Sequence, residues 1–117
     1  MRKKEITLDD QTYIISPLSL FQVKEFLEQQ RAALGMDKKG EKISDADPQK
    51  LEIVWRSFLC AGLNNAGIGV SGFVPWTGER ILDELDIIFF ERLRDELLEF
   101  TGLSPKKVSP GEAKAAS

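Results

Sequence analysis

The stretch Glu5-Ile6-Thr7-Leu8-Asp9-Asp10-Gln11-Thr12-Tyr13-Ile14-Ile15-Ser16-Pro17-Leu18-Ser19-Leu20-Phe21-Gln22 changes its period part-way along, and that change decides the fold class. In its first part Ile6 and Leu8 alternate with Glu5 and Thr7, and Tyr13 and Ile15 alternate with Thr12, Ile14 and Ser16. A period of two is strand patterning, and Asp9-Asp10-Gln11 supplies turn chemistry between the runs. Residues 4–16 therefore read as a β-hairpin. Two strands alone are marginal and must lay an apolar face on something else. Ser16-Pro17 stops the strand. Ser19 with Gln22 three residues on then forms a capping box, with Leu18 and Val23 as a hydrophobic staple across it. A first helix over about 20–34 follows, with Leu20, Val23, Leu27 and Leu34 on one face, Phe26 beside them, and Gly35 as its stop.

Outward from this switch, Met36 to Ala46 is polar and has no apolar period. Asp47-Pro48 restarts the helix, with aspartate at the N-cap and proline at the first helical position. Leu51, Val54, Trp55, Phe58, Leu59 and Leu63 make an apolar stripe through a second helix over about 48–65, and Asn64-Asn65-Ala66-Gly67 reads as its frayed end. A glycine-rich stretch from Gly62 to Gly78 carries Phe73, Pro75 and Trp76. Large aromatics in a loop are either pinned to the core or offered to a partner. Thr77 can cap a third helical segment over about 78–101, with Leu82, Leu85, Phe89, Leu93, Leu97 and Phe100 in one arc. Asp86 offers a second cap and a bend, and Gly102 a stop. Ser104 to Ser117 is small and polar, with Lys106, Lys107 and Lys114 against Glu112, and reads as a disordered tail. The expected architecture is α+β and mostly α-helical. An N-terminal hairpin packs on a small bundle of three to four helices within a single domain over 1–103, followed by the tail at 104–117.

Composition narrows the chemistry. The chain has 117 residues, 42% apolar and 30% charged, which suits one globular domain. Sixteen basic residues stand against 19 acidic ones, a net charge of −3. With no basic excess to neutralise phosphates, nucleic acid is not an expected partner. Apolar runs such as Ile87-Ile88-Phe89-Phe90 are far too short to span a bilayer, and Met1-Arg2-Lys3-Lys4 leads into no apolar leader, so no membrane association is expected. Histidine is absent and Cys60 is the single cysteine. The commonest general base and the commonest metal ligand are both missing, so neither catalysis, nor a metal, nor a cofactor is expected.

Three motifs have plainer readings. Gly67-Ile68-Gly69-Val70-Ser71-Gly72 matches the glycine spacing of dinucleotide sites, but a helix precedes it and Phe73-Val74-Pro75 follows, so it reads as a connector. The acidic residues from Glu79 to Glu99 lie along a helix without calcium-loop spacing, and arginines among them support a solvated face. Cys60 has no histidine to activate it and flanks an apolar stripe, so an inert thiol is expected.

The anomaly lies in the third helix. Ile87 and Leu98 project nearly opposite to its main arc, Ile81 and Ile88 cover a third direction, and Phe90 a fourth. A helix apolar on several sides must be covered on several sides. Two arrangements satisfy this: a central helix sandwiched within the bundle, or a helix that keeps one side for another chain. Under the second, Phe73, Trp76, Ile87, Phe90 and Leu98 are the candidate protein-binding residues.

The opening Glu5 to Ser19 resembles the start of tail assembly chaperones of long-tailed bacteriophages. Those often begin with a charged hairpin of the form leucine, aspartate, turn, tyrosine, apolar, and then start a helix on Pro-Leu-Ser/Thr-Leu. The end is similar too: Leu97-Leu98-Glu99-Phe100-Thr101-Gly102-Leu103 closes a last helix on Thr-Gly, and a loose Gly111-Glu112-Ala113 tail follows. The match covers about the first thirty residues and the last twenty. The resemblance implies a non-catalytic, mostly helical α+β protein that forms homo-oligomers. It implies a partner, the helical tape-measure protein or another tail protein, shielded during tail morphogenesis in the cytoplasm of an infected or lysogenic bacterial host. It carries over no catalytic residues. The alternative expectation is a structural virion component, a neck or tail completion protein.

Overall fold

A computed structural model describes residues 2–103. The strands are β1 (Lys4–Leu8) and β2 (Gln11–Ile15), and the helices are α1 (Leu20–Ala33), α2 (Pro48–Gly67), α3 (Gly78–Glu84) and α4 (Ile87–Thr101). The expected tail at 104–117 lies outside the described residues. The architecture is α+β and mostly helical, with the expected hairpin and, within the expected three to four, four helices. Strands β1 and β2 pair antiparallel with Ile6 opposite Tyr13 and Lys4 opposite Ile15, and Asp9 turns the chain at a left-handed φ of 54°.

Local chemistry sets the boundaries. Ser19 caps α1, accepting from the Gln22 N–H while the Gln22 side chain accepts from the Ser19 N–H. The Asp47 carboxylate takes the N–H groups of Gln49 and Lys50 at the start of α2. Beyond α1, Gly35 has φ +77° and sits so close to the Ser44 carbonyl that no Cβ would fit, so the polar connector folds back on the end of that helix. At the end of α4, Gly102 takes φ +94° and Leu103 folds back, its N–H bonding the Leu98 carbonyl at 2.8 Å.

The continuous helix expected over 78–101 is two helices. Leu85 is extended, with φ −111° and ψ 133°, and the Asp86 carboxylate accepts from the Phe89 N–H at 2.8 Å to begin α4. An N-cap inside the apolar run ends one helix and starts another, so the expected arc does not carry through. Ile81 is 2% exposed, whereas Leu82, expected in the core, is 60% exposed. The first helix also turns differently. Its inward side is Phe26 and Ala33, and Leu20 stands 90% exposed at the first position.

The core is built around α2, which packs on α1, β2, α3 and α4. Its stripe holds: Val54, Phe58, Leu59 and Leu63 are buried, and Ile6, Ile15, Leu93 and Leu97 close over them. Phe26 and Phe58 rings approach to 4.5 Å between centroids, with Trp55 edge-on to Phe58 at 5.7 Å. Gly62 admits α4 closely, because a Cβ there would overlap the Leu97 side chain. The Gly62 carbonyl also accepts from the Ser16 N–H at 3.0 Å.

The residues expected to fray are instead part of this core. Asn65 and Ala66 are buried in α2, and the Asn65 amide donates to the Pro17 carbonyl at 3.1 Å and to Gln22 Oε1 at 2.8 Å. The side chain that completes the α1 capping box thus also ties α1 to α2.

Candidate protein-binding surface

Among the described residues several depressions lie beside the helices, and three of them hold the five candidate residues. The first is a groove of about 500 Å³ between the N-terminal half of α2 and the α3–α4 corner. Leu51 and Trp55 from α2, with Leu85 and Phe90 from the corner, make its walls, and buried Ile81 lies at its base. Two apolar side chains stand at its edge facing water: Leu82, and Ile87 at 67% exposure. Trp55 is packed from behind by Phe26, with ring centroids 5.2 Å apart.

Charged groups rim the groove. Arg94 lies over the Trp55 ring at 5.4 Å, and Arg56 reaches Glu52 at 3.3 Å. Asp86 is engaged as the cap of α4. Arg94 is also paired with its neighbour Asp95 at 3.1 Å, so the groove's rim carries Glu52, Arg56, Asp86 and the Arg94–Asp95 pair around an apolar interior. The second face of the α3–α4 region is the solvated, ion-paired one that the sequence suggests, with Arg80–Glu84 and Arg92–Glu96 at i,i+4 spacing.

The second depression, about 620 Å³, separates α1 from α4 and is where Leu98 lies, half-buried beside Phe26, Leu27 and Leu103. Leu98 and Ile87 therefore serve different surfaces. The third, about 430 Å³, runs between β2 and the loop after α2. Phe73 and Trp76 line it, but both are fastened to their own domain. The Phe73 ring lies against Gly67, where a Cβ would overlap it. Both backbone groups of Trp76 are held by the Asn64 side chain, at 2.7 Å and 3.0 Å, and the Arg80 guanidinium covers the indole at 3.8 Å. These aromatics pin the loop. The glycine motif beneath them begins at the last residue of α2 and continues as turns, with Gly69 at φ +79° and Gly72 at φ +78°.

Titratable groups at these surfaces follow their surroundings. Burial pushes the Cys60 thiol up, and the nearby Arg56 charge only partly offsets it; the side chain is half-buried beside the core. Burial, then the charges of Glu84 and Asp86, push the Tyr13 phenol up. The hydrogen bond from Lys4 Nζ, at 2.7 Å, chiefly holds the Glu96 carboxyl below the usual range, against a smaller opposing effect of burial. Among the described residues, no three His, Cys, Asp or Glu side chains converge as metal ligands would, and no helix is long and apolar enough to cross a membrane.

Of the sequence candidates, Ile87 and Phe90 share the groove, Phe73 and Trp76 share the third depression but are fastened to their own domain, and Leu98 lies apart; the residues that complete the groove belong to the stripes expected in the core. Leu82 was placed in the buried arc because the arc was drawn through Asp86. Treating Asp86 as a break resets the register and puts Leu82 and Ile87 on either side of one corner. Leu51 and Trp55 carried no separate signal, since one face of each does pack inward. No protein-family model, curated protein or solved structure matches the chain.

Proposed function

We propose that the protein is a non-catalytic tail assembly chaperone of a long-tailed bacteriophage, one that self-associates and shields amphipathic helical stretches of the tape-measure protein until tail subunits assemble around it. It would act in the cytoplasm of the host bacterium. The observation that supports this reading is the groove between α2 and the α3–α4 corner. A bare amphipathic helix, about 10 Å across, presents apolar residues at i, i+3, i+4 and i+7 and needs a long apolar recess with a rigid wall. Leu51, Trp55, Leu85 and Phe90 provide apolar walls, and Leu82 and Ile87 extend them outward. An open groove also suits a shield that must later let go. Its rim charges contribute orientation more than affinity.

The test is light scattering of the purified protein mixed with purified tape-measure protein. A complex is expected with the wild type, and Leu82→Glu with Ile87→Glu should abolish it while the circular dichroism spectrum stays unchanged. Failure of the wild type to form any complex would sink the proposal. Recovery of the protein from finished particles would favour the neck or completion protein instead.

A further inference from the structure

We infer that the client helix runs on past the groove, over the Trp55 ring and into the α1–α4 depression, and that it carries a carboxylate where it passes Arg94. This rests on the function proposed above and names the client segment that the function requires. The groove and the α1–α4 depression have two side chains in common, Trp55 and Arg94. Ile87, Phe90, Arg94 and Leu98 follow one another along α4 at spacings of three and four, so they share one side of that helix. Ile87 and Phe90 line the groove, Leu98 the depression, and Arg94 both. The Arg94 guanidinium lies over the Trp55 ring, 5.4 Å from its centroid, and so crosses the middle of one trough. The groove alone follows about one turn of α4. From Ile87 to Leu98 the trough follows about three turns, or about 16 Å, which suits an amphipathic helix with repeated apolar anchors.

Arg94 sets the chemistry at the middle. Its Nε and Nη2 donate to Asp95 Oδ1 at 3.2 and 3.1 Å, which engages one edge of the guanidinium. The Nη1–Nη2 edge is a second fork of donors, of the geometry that takes a carboxylate through two parallel hydrogen bonds. An apolar client residue there would strip water from this edge and return no acceptor, and a lysine would set two cations together. A glutamate or aspartate does neither. Of the carboxylates that line the depression, Asp95 is paired with Arg94, and Glu96 with Lys4 and Arg92. Repulsion of an incoming acid is thus left to Glu99, exposed and more than a turn beyond Arg94. The client segment is therefore a helix with apolar clusters about eleven residues apart and an acidic residue between them.

Titration calorimetry of the full chain with synthetic helical peptides tests this. Two peptides carry both apolar clusters and differ only in a central glutamate or lysine; a third, of the same length and with the glutamate, has one cluster made polar. The two-cluster glutamate peptide should bind at least about tenfold more tightly than either of the others. Ile87→Glu in the groove and Leu27→Glu in the depression, both at exposed positions, should each weaken it about tenfold. Phe21→Glu, outside both, should change nothing. Arg94→Gln should erase the preference for glutamate over lysine and leave the circular dichroism spectrum unchanged. Equal binding of any two of the three peptides to the wild type overturns the inference and leaves the proposed function standing. A Leu27→Glu variant that binds like the wild type does the same, as does a glutamate preference that survives Arg94→Gln. Binding of purified tape-measure protein when no peptide binds also overturns the inference alone. Tight, Arg94-dependent binding of the glutamate peptide with no binding of tape-measure protein overturns the proposed function while the trough survives.

Discussion

The two halves of α2 carry similar apolar stripes but are used differently. In the C-terminal half, Leu59, Gly62, Leu63, Asn65 and Ala66 are buried, covered by β2, α4 and the returning loop. In the N-terminal half Leu51 and Trp55 are only half-buried, and Ile53 is exposed. The same helix is thus a core strut at one end and a groove wall at the other. The difference teaches that apolar content along a helix measures what can be buried, while the neighbours decide what is. Closure of α4 on Gly62 by Leu97 fills one end. The break at Leu85 and Asp86 makes a corner between α3 and α4, and the groove opens between this corner and the other end of α2.

The sharpest way to break this comparison is to delete side chains at both ends. Leu97→Ala, at a fully buried site, should cost about 2–5 kcal/mol of unfolding free energy, read from urea melts. Leu51→Ala, at the half-buried groove wall, should cost about 1 kcal/mol. Equal losses would mean that the two ends do not differ. Next in size, Asn65→Ala should cost about 1 kcal/mol, because it removes the donor to the half-buried Pro17 carbonyl and one of the two donors to Gln22 Oε1, which keeps the Ser19 N–H. A loss within error would return this turn of α2 to the frayed end that its composition suggests.

A smaller effect tests how the hairpin is tied to α4. Glu96 is held below the usual glutamate range by Lys4, so its ionised form favours the folded state. That stability is fully present above the unfolded-state value and is lost as pH falls through the depressed folded-state value. Glu96→Gln should therefore cost about 0.5–1 kcal/mol at neutral pH and flatten the acid limb of the stability profile. An unchanged acid limb would show that the tie contributes nothing. Smallest of all, Leu82→Glu should change folding stability by less than about 0.5 kcal/mol, since its side chain faces water. A large loss there would make the corner part of the core and remove the open end from the comparison.

Much of the fold is legible in the residues. Ser19, Asp47, Thr77 and Asp86 each cap a helix, with the carboxylate or hydroxyl accepting an N–H two or three residues on. Such bonds need no distant partner, so local sequence suffices to find them. The groove was half legible. Ile87 and Phe90 stood out because they fall off the main arc, but Leu98 stood out for the same reason and lies in a different depression. Phe73 and Trp76 drew notice as loop aromatics, and only their partners Gly67, Asn64 and Arg80 show that they hold the loop down.

The hairpin, the first two helices and the caps follow from the sequence alone, because each depends on alternation or on bonds between residues a few positions apart; the register does not, since Gln11, expected in the turn, pairs with Leu8 at the start of β2. Which apolar faces are covered was decided by the tertiary structure. Leu20 and Ile81 are equally apolar and lie near the starts of their helices, yet one is 90% exposed and the other 2%. Burial is a property of the space between elements, and the angle at Leu85 and Asp86 sets that space for α3, α4 and the open end of α2.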